Sequence, residues 1–234
     1  MFSHFFNHVF PTDCVGCSKP WSYLCSDCRR DLVLHSEICP VCHSYSKYFF
    51  TCPNCRKSAD IYYEWIIIWF KYTGILKKLI LNLKFLHLYD QAEFLWQIIQ
   101  NHILANPFLQ TAIKNKKLVV SFVPSHWFRK YFIKGYNQSE LLAKKVAQTL
   151  KVPFVQLCQK TKYTKSQTKL NRKQRLKNLL WVFSPLHSTL RWDETILVID
   201  DITTTWSTIN EVAKTLKSKY PDVKIRGVVL GRHA

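Results

Sequence analysis

The sequence predicts an α/β protein: a mostly parallel sheet flanked by helices, preceded by a small cysteine-rich zinc-binding domain. Three observations carry this expectation. Apolar runs of strand length alternate with stretches of helical periodicity after about residue 59, the pattern of strand–helix–strand crossovers in a parallel sheet. Eight of the nine cysteines fall before residue 58, in four C-x-x-C pairs. The chain has 234 residues, 47% of them apolar, which is enough for a sizeable core. The boundary this suggests is a zinc-binding ribbon over 1–58 and an α/β domain over 59–234.

The cysteine pairs are Cys14/Cys17, Cys25/Cys28, Cys39/Cys42 and Cys52/Cys55. Two thiolates at this spacing curl around one tetrahedral metal ion, and two pairs complete a closed structural zinc site. Four pairs therefore make two sites. The short linkers favour pairing first with second and third with fourth, against an interleaved alternative. A disulfide scaffold would belong to an exported chain. No basic segment followed by a cleavage pattern precedes the first pair, so a reducing, cytoplasmic setting is expected. His43 reads as a bystander beside Cys42, and Cys158, in the apolar "FVQLC", as an inert buried thiol.

The elements of the second domain follow in order. "EWIIIWFKY" reads as a buried strand, and Ile75, Leu76, Leu79, Ile80 and Leu83 mark a helix face. Asp90 with Glu93 suggests a capped helix ending near Ala105, before Pro107. "KLVVSFVP" (117–124) is a second strand, and Asn137 with Glu140 opens a helix ending before Pro153. "TILVID" (195–200), "STINEVAKTLKSK" and "KIRGVVL" (224–230) complete the set as strand, helix and strand. Thr208 with Glu211 matches a capping box for that last helix. No apolar run approaches the roughly 20 residues of a membrane span.

Ligands in such sheets collect beyond the carboxyl ends of the strands, where Asp200 and Asp201 are expected. The hydroxyl run behind them leads into a helix N-terminus, whose unpaired N–H groups attract an anion. Carboxylates beside a phosphate cup fit a sugar phosphate: the acids take sugar hydroxyls or a water-linked Mg²⁺. The formal net charge of +19, from 34 Lys and Arg against 15 Asp and Glu, also points to polyanionic partners. Arg129, Lys130 and Lys134 are interleaved with aromatic residues, and 160–177 carries eight cations and no acid, Lys165, Lys169, Arg172, Lys173 and Arg175 among them. Cations that track a backbone and rings that stack on bases suit single-stranded nucleic acid.

"ILVIDDITTTWST" (196–208) resembles the phosphoribosyl-diphosphate (PRPP) motif of type I phosphoribosyltransferases. With the four cysteine pairs, "VPSHWFRKYFIKGYNQSELLA" (123–143) and "KYTKSQTKLNRKQRLKNLLWVF" (162–183), the chain is similar to the ComF/GntX family. The resemblance implies that Asp200 and Asp201 hold the ribose of PRPP, directly or through Mg²⁺. It places Thr204, Thr205, Trp206, Ser207 and Thr208 around the 5′-phosphate and Ser125, with His126, near the pyrophosphate. Trp206 stands where the family loop has glycine and Lys134 where it has arginine, so restoring glycine at 206 is expected to tighten phosphate binding. It further implies cytoplasmic handling of single-stranded DNA in natural transformation, with other DNA-uptake proteins such as a helicase as partners. The alternative is a transferase that moves ribose 5-phosphate from PRPP to a nitrogen acceptor.

Overall fold

A computed structural model describes residues 13–85, 90–126, 136–161, 182–186, 190 and 193–233. Of the expected basic site residues, Arg129, Lys130, Lys134, Lys165, Lys169, Arg172, Lys173 and Arg175 lie outside the described residues.

The sheet is built from β1 (Ile66–Lys71), β2 (Leu118–Phe122), β5 (Thr195–Thr203) and β6 (Lys224–Arg232), in the order β1-β6-β5-β2, with every neighbouring pair parallel. These strands are the apolar runs of the sequence, and they are buried along nearly their whole length, as strands covered on both faces must be. A separate antiparallel pair joins β3 (Cys158–Lys160) to β4 (Phe183–Pro185).

Between β1 and β2 run α3 (Gly74–Phe85), α4 (Asp90–Leu104) and α5 (Pro107–Lys114). α6 (Gln138–Leu150) follows β2, and α7 (Ser207–Lys219) joins β5 to β6. α5 was not expected from the sequence, where Pro107 read as a terminator. Pro107 instead opens the helix, where its missing N–H costs nothing, and the Asn106 Oδ1 accepts from the Phe108 and Leu109 amides, both at 3.1 Å. The Asn137 cap expected for α6 is present, its side chain accepting from Ser139 N at 3.1 Å. The expected Thr208 cap is not. α7 begins at Ser207, and the N-cap position is Trp206, without a side-chain cap bond.

The cysteine-rich segment contains α1 (Ser26–Arg30), α2 (Pro53–Ser58) and a short 3₁₀ turn at Lys47–Phe49. It is stitched to the outer edge of β1: His35 N donates to Trp69 O at 2.7 Å, Lys71 N to Val33 O at 2.9 Å, and Phe50 bridges Trp65. On the opposite edge, Val120 N donates to Pro153 O at 2.9 Å and Val155 N to Val120 O at 3.0 Å. Both outer strands thus have short partners that cover part of their edges. Asn210 on α7 ties the linker between the segments, accepting from Tyr62 N at 3.0 Å and donating to Asp60 O at 2.8 Å.

Candidate functional site

At the carboxyl end of the sheet, β5 runs three residues further than the apolar pattern indicated, through Asp200 and Asp201 to Thr203. The two carboxylates therefore belong to the strand itself, and its period of two sends them to opposite faces. Asp200 turns towards the first turn of α6, where its Oδ1 accepts from the Ser139 hydroxyl at 2.8 Å and from Asp201 N at 2.9 Å. Asp201 is 9% exposed and its Oδ1 accepts from Ile202 N at 2.7 Å. Asp200 is half-buried.

The loop from Thr203 to Ser207 is bonded through its own hydroxyls. Thr203 Oγ1 donates to Thr205 O, and Thr205 Oγ1 lies 2.6 Å from Ser207 Oγ. Thr204, Thr205 and Thr208 are half-buried and Ser207 is buried. Asn210 N donates to Trp206 O at 3.0 Å as the first bond of α7, so the amides of 207–209 lack intrahelical acceptors by helix geometry. Trp206 has φ −62° and ψ −9°, ordinary right-handed values, and its indole packs partly against the core. The backbone at 206 therefore makes no demand for glycine; any cost of the indole lies in the space it occupies.

Just past β2, the Ser125 hydroxyl is buried with no hydrogen-bond partner among the described residues, and so is Nε2 of Gln138 at the first position of α6. The two flank a fixed junction, since Asn137 Nδ2 donates to Val123 O at 3.0 Å. Ser139, Gln138 and Asn137 were not singled out as site residues from sequence. Their signal was the helix-opening "NQSE", which reads as capping alone until the fold brings it to β5.

The thiols form two compact tetrads, Cys14/Cys17/Cys25/Cys28 and Cys39/Cys42/Cys52/Cys55, each with all Sγ atoms within 4.8 Å of one another. Pairing is thus first with second and third with fourth. Cys17 Sγ and Cys25 Sγ stand 3.7 Å apart, as do Cys42 and Cys52, close to the ~3.8 Å edge of a tetrahedron with zinc–sulfur bonds of about 2.3 Å. The backbone supports both sites alike: Cys25 N donates to Cys14 Sγ and Cys52 N to Cys39 Sγ, each at 3.4 Å. Burial pushes the Cys14 thiol up, but the amides of Cys25, Cys17 and Gly16 outweigh it and hold the group at about 6. The Ser44 hydroxyl and amide bring Cys42 down to about 6 against its burial. Four thiols per site, some already biased towards thiolate, fit zinc. A Cβ at Gly16 would lie 2.5 Å from Cys28 Sγ, so the first knuckle closes this tightly only on glycine. His43 takes no part in the second tetrad; its Nε2 meets the Arg232 guanidinium, which also donates to Pro40 O at 3.2 Å.

Among the described residues no helix is long and apolar enough to cross a membrane.

Residues 137–234, which hold α6, the Asp200–Asp201 strand end and α7, match the phosphoribosyl transferase domain family. Over 197 residues the chain is 28% identical to competence protein F of Haemophilus influenzae, covering 83% of this chain and 84% of that one. It is 27% identical over 216 residues to the DNA utilization protein YhgH of Salmonella typhimurium, covering 88% and 91%. The YhgH protein of Escherichia coli gives 27% over 220 residues, with the same shares. With a phosphoribosyl transferase domain match over residues 137–234, two cysteine tetrads and these relatives along most of its length, the chain is similar to the ComF/GntX family.

Proposed function

We propose that this protein handles single-stranded DNA entering the cell during natural transformation, and that it holds a phosphoribosyl group at the carboxyl end of β5. The ligand is PRPP or the sugar phosphate of a DNA end. One observation carries this reading: Asp200, held by Ser139, lies on the same strand end that runs into the hydroxyl-lined start of α7, within the segment matching phosphoribosyl transferases. Its relatives' names, competence protein F and DNA utilization protein, support the DNA role.

In this assignment Asp200 and Asp201 take the ribose hydroxyls, directly or through Mg²⁺, which would screen the carboxylates from the phosphates. The amides of 207–209 and the hydroxyls of Thr204, Thr205, Ser207 and Thr208 take the 5′-phosphate, with Trp206 closing the loop. Ser125 faces the pyrophosphate. The cations from Arg129 to Lys134 and from Lys165 to Arg175 follow the DNA backbone.

The test is a titration of labelled single-stranded DNA at several salt concentrations, with and without Mg-PRPP. It uses the wild type, the Asp200→Asn/Asp201→Asn double variant and a variant with reversed charges at Lys165, Lys169, Arg172, Lys173 and Arg175. PRPP binding is expected to fall at least ~10-fold in the double variant, and DNA binding to collapse in the charge-reversed one. Absence of DNA binding at low salt in the wild type overturns the DNA role.

The domain match also favours a second reading, a transferase. A nitrogen lone pair would attack C1 of PRPP as the C1–O bond breaks and pyrophosphate leaves with the bonding pair. The carboxylate charge at this strand end would stabilise the developing ribosyl cation. Pyrophosphate release that requires an added nitrogen acceptor is its signature.

A further inference from the structure

Between the cysteine-rich segment and β1 lies a cavity of about 360 Å³, within the roughly 300–1,000 Å³ range of small-molecule sites. It is remote in sequence from the Asp200 strand end, and nothing in the proposed function uses it. We infer that it is a pocket for a single purine base, guanine by its polar complement.

The walls are largely apolar, and three of the lining residues, Tyr48, Phe49 and Trp69, are aromatic, the last two buried. Aromatic side chains are the groups on which planar bases stack. Tyr48 and Phe49 both adopt left-handed φ values, 57° and 59°. Bulky residues are rare in that region, and two in succession occur only where the surroundings impose it.

The polar groups are few and specific. Glu37 is half-buried and forms no ion pair among the described residues, although the chain carries a net charge of +19. Asn106 is 7% exposed. Its Oδ1 is committed to capping α5, so its Nδ2 is the group left to donate. His35 Nδ1 lies 2.9 Å from Ser36 O. A carbonyl only accepts, so Nδ1 carries the proton of this contact. The pocket therefore combines a two-oxygen acceptor with one amide donor.

Guanine matches this set. Its N1–H and N2–H donate side by side to one carboxylate, and its O6 accepts from an amide. Adenine offers a single amino donor on that edge and no carbonyl, and the pyrimidines leave the aromatic walls partly uncovered.

The experiment uses the full zinc-loaded chain and the four deoxynucleosides, which lack the phosphate on which the strand-end site depends. Deoxyguanosine is expected to bind at least ~10-fold tighter than the other three, read by calorimetry and by tryptophan fluorescence. Glu37→Gln is expected to remove that preference. Asn106→Asp, which keeps the capping oxygen but loses the donor, should also weaken deoxyguanosine about 10-fold, whereas Asp200→Asn leaves it unchanged. Zinc content of two per chain verifies that each variant is folded. Photocrosslinking of 8-azidoguanosine to the unmodified protein needs no variant, and the label is expected on the peptides holding Tyr48 or Trp69. Equal binding of the four nucleosides, labelling elsewhere, or loss of binding in Asp200→Asn overturns the assignment; the last would move the base to the strand-end site.

Discussion

Ser139 shows what a single hydroxyl decides. It lies 61 positions from Asp200 in the chain, yet it is 5% exposed and its donation at 2.8 Å fixes the carboxylate in place. Ser139→Ala is expected to cost about 1.5–3 kcal/mol in urea unfolding, the range for a hydrogen bond to a charged group. Trp206→Gly is expected to tighten PRPP and to lower stability by about 1–3 kcal/mol, because the indole contributes packing. Calorimetry and thermal unfolding on the same sample separate the two effects. Cys158 is buried, and burial pushes its thiol up to about 12, so at pH 8 it stays protonated and unreactive. Alkylation of the folded, chelator-treated protein should spare Cys158, and denaturant should expose it. At this scale the place of Asp200 and Asp201 at the end of β5 was legible, because two acids ending an apolar run are unusual. Ser139 and Gln138 were not, because their significance is a contact through space.

The four sheet strands could be read from the sequence because strands buried on both faces leave unbroken apolar runs. α5 could not, because Pro107 is equally good punctuation for an ending and for a first turn, and only the Asn106 cap distinguishes them. β3 and β4 are three residues each, too short to show a period. The capping box at Thr208 failed because the helix is entered earlier, with Trp206 at the N-cap position and Thr208 already inside the first turn. Asn210 is 6% exposed and serves the linker with both ends of its amide. Asn210→Ala leaves those two backbone groups unanswered and is expected to cost about 2 kcal/mol or more by denaturant titration. Zinc in the paired tetrads would supply an apparent ~10–16 kcal/mol per site to the cysteine-rich segment. Since that segment also bonds the rim of β1, chelation is expected to accelerate hydrogen exchange at the Lys71 amide as well as between residues 13 and 58. Unchanged exchange at Lys71 would mean the rim holds without metal.

For the whole molecule, +19 sets the long-range field more than any single contact. Affinity for single-stranded DNA is expected to fall on a log–log salt plot with a slope of about 0.7 per phosphate neutralised. Reversing the five charges from Lys165 to Arg175 should flatten that slope, measured by fluorescence anisotropy. The order of strands has a consequence for biosynthesis. β6 occupies the space between β1 and β5 but comes last of the six in the chain, and Ile66 meets Gly227 across about 160 positions. At roughly 5–20 residues per second, β1 would emerge from the ribosome and wait about 10–30 s for its central neighbour. During that interval its sticky flank is open to wrong partners, so a nascent chain of this kind should lean on holding chaperones until translation passes residue 232.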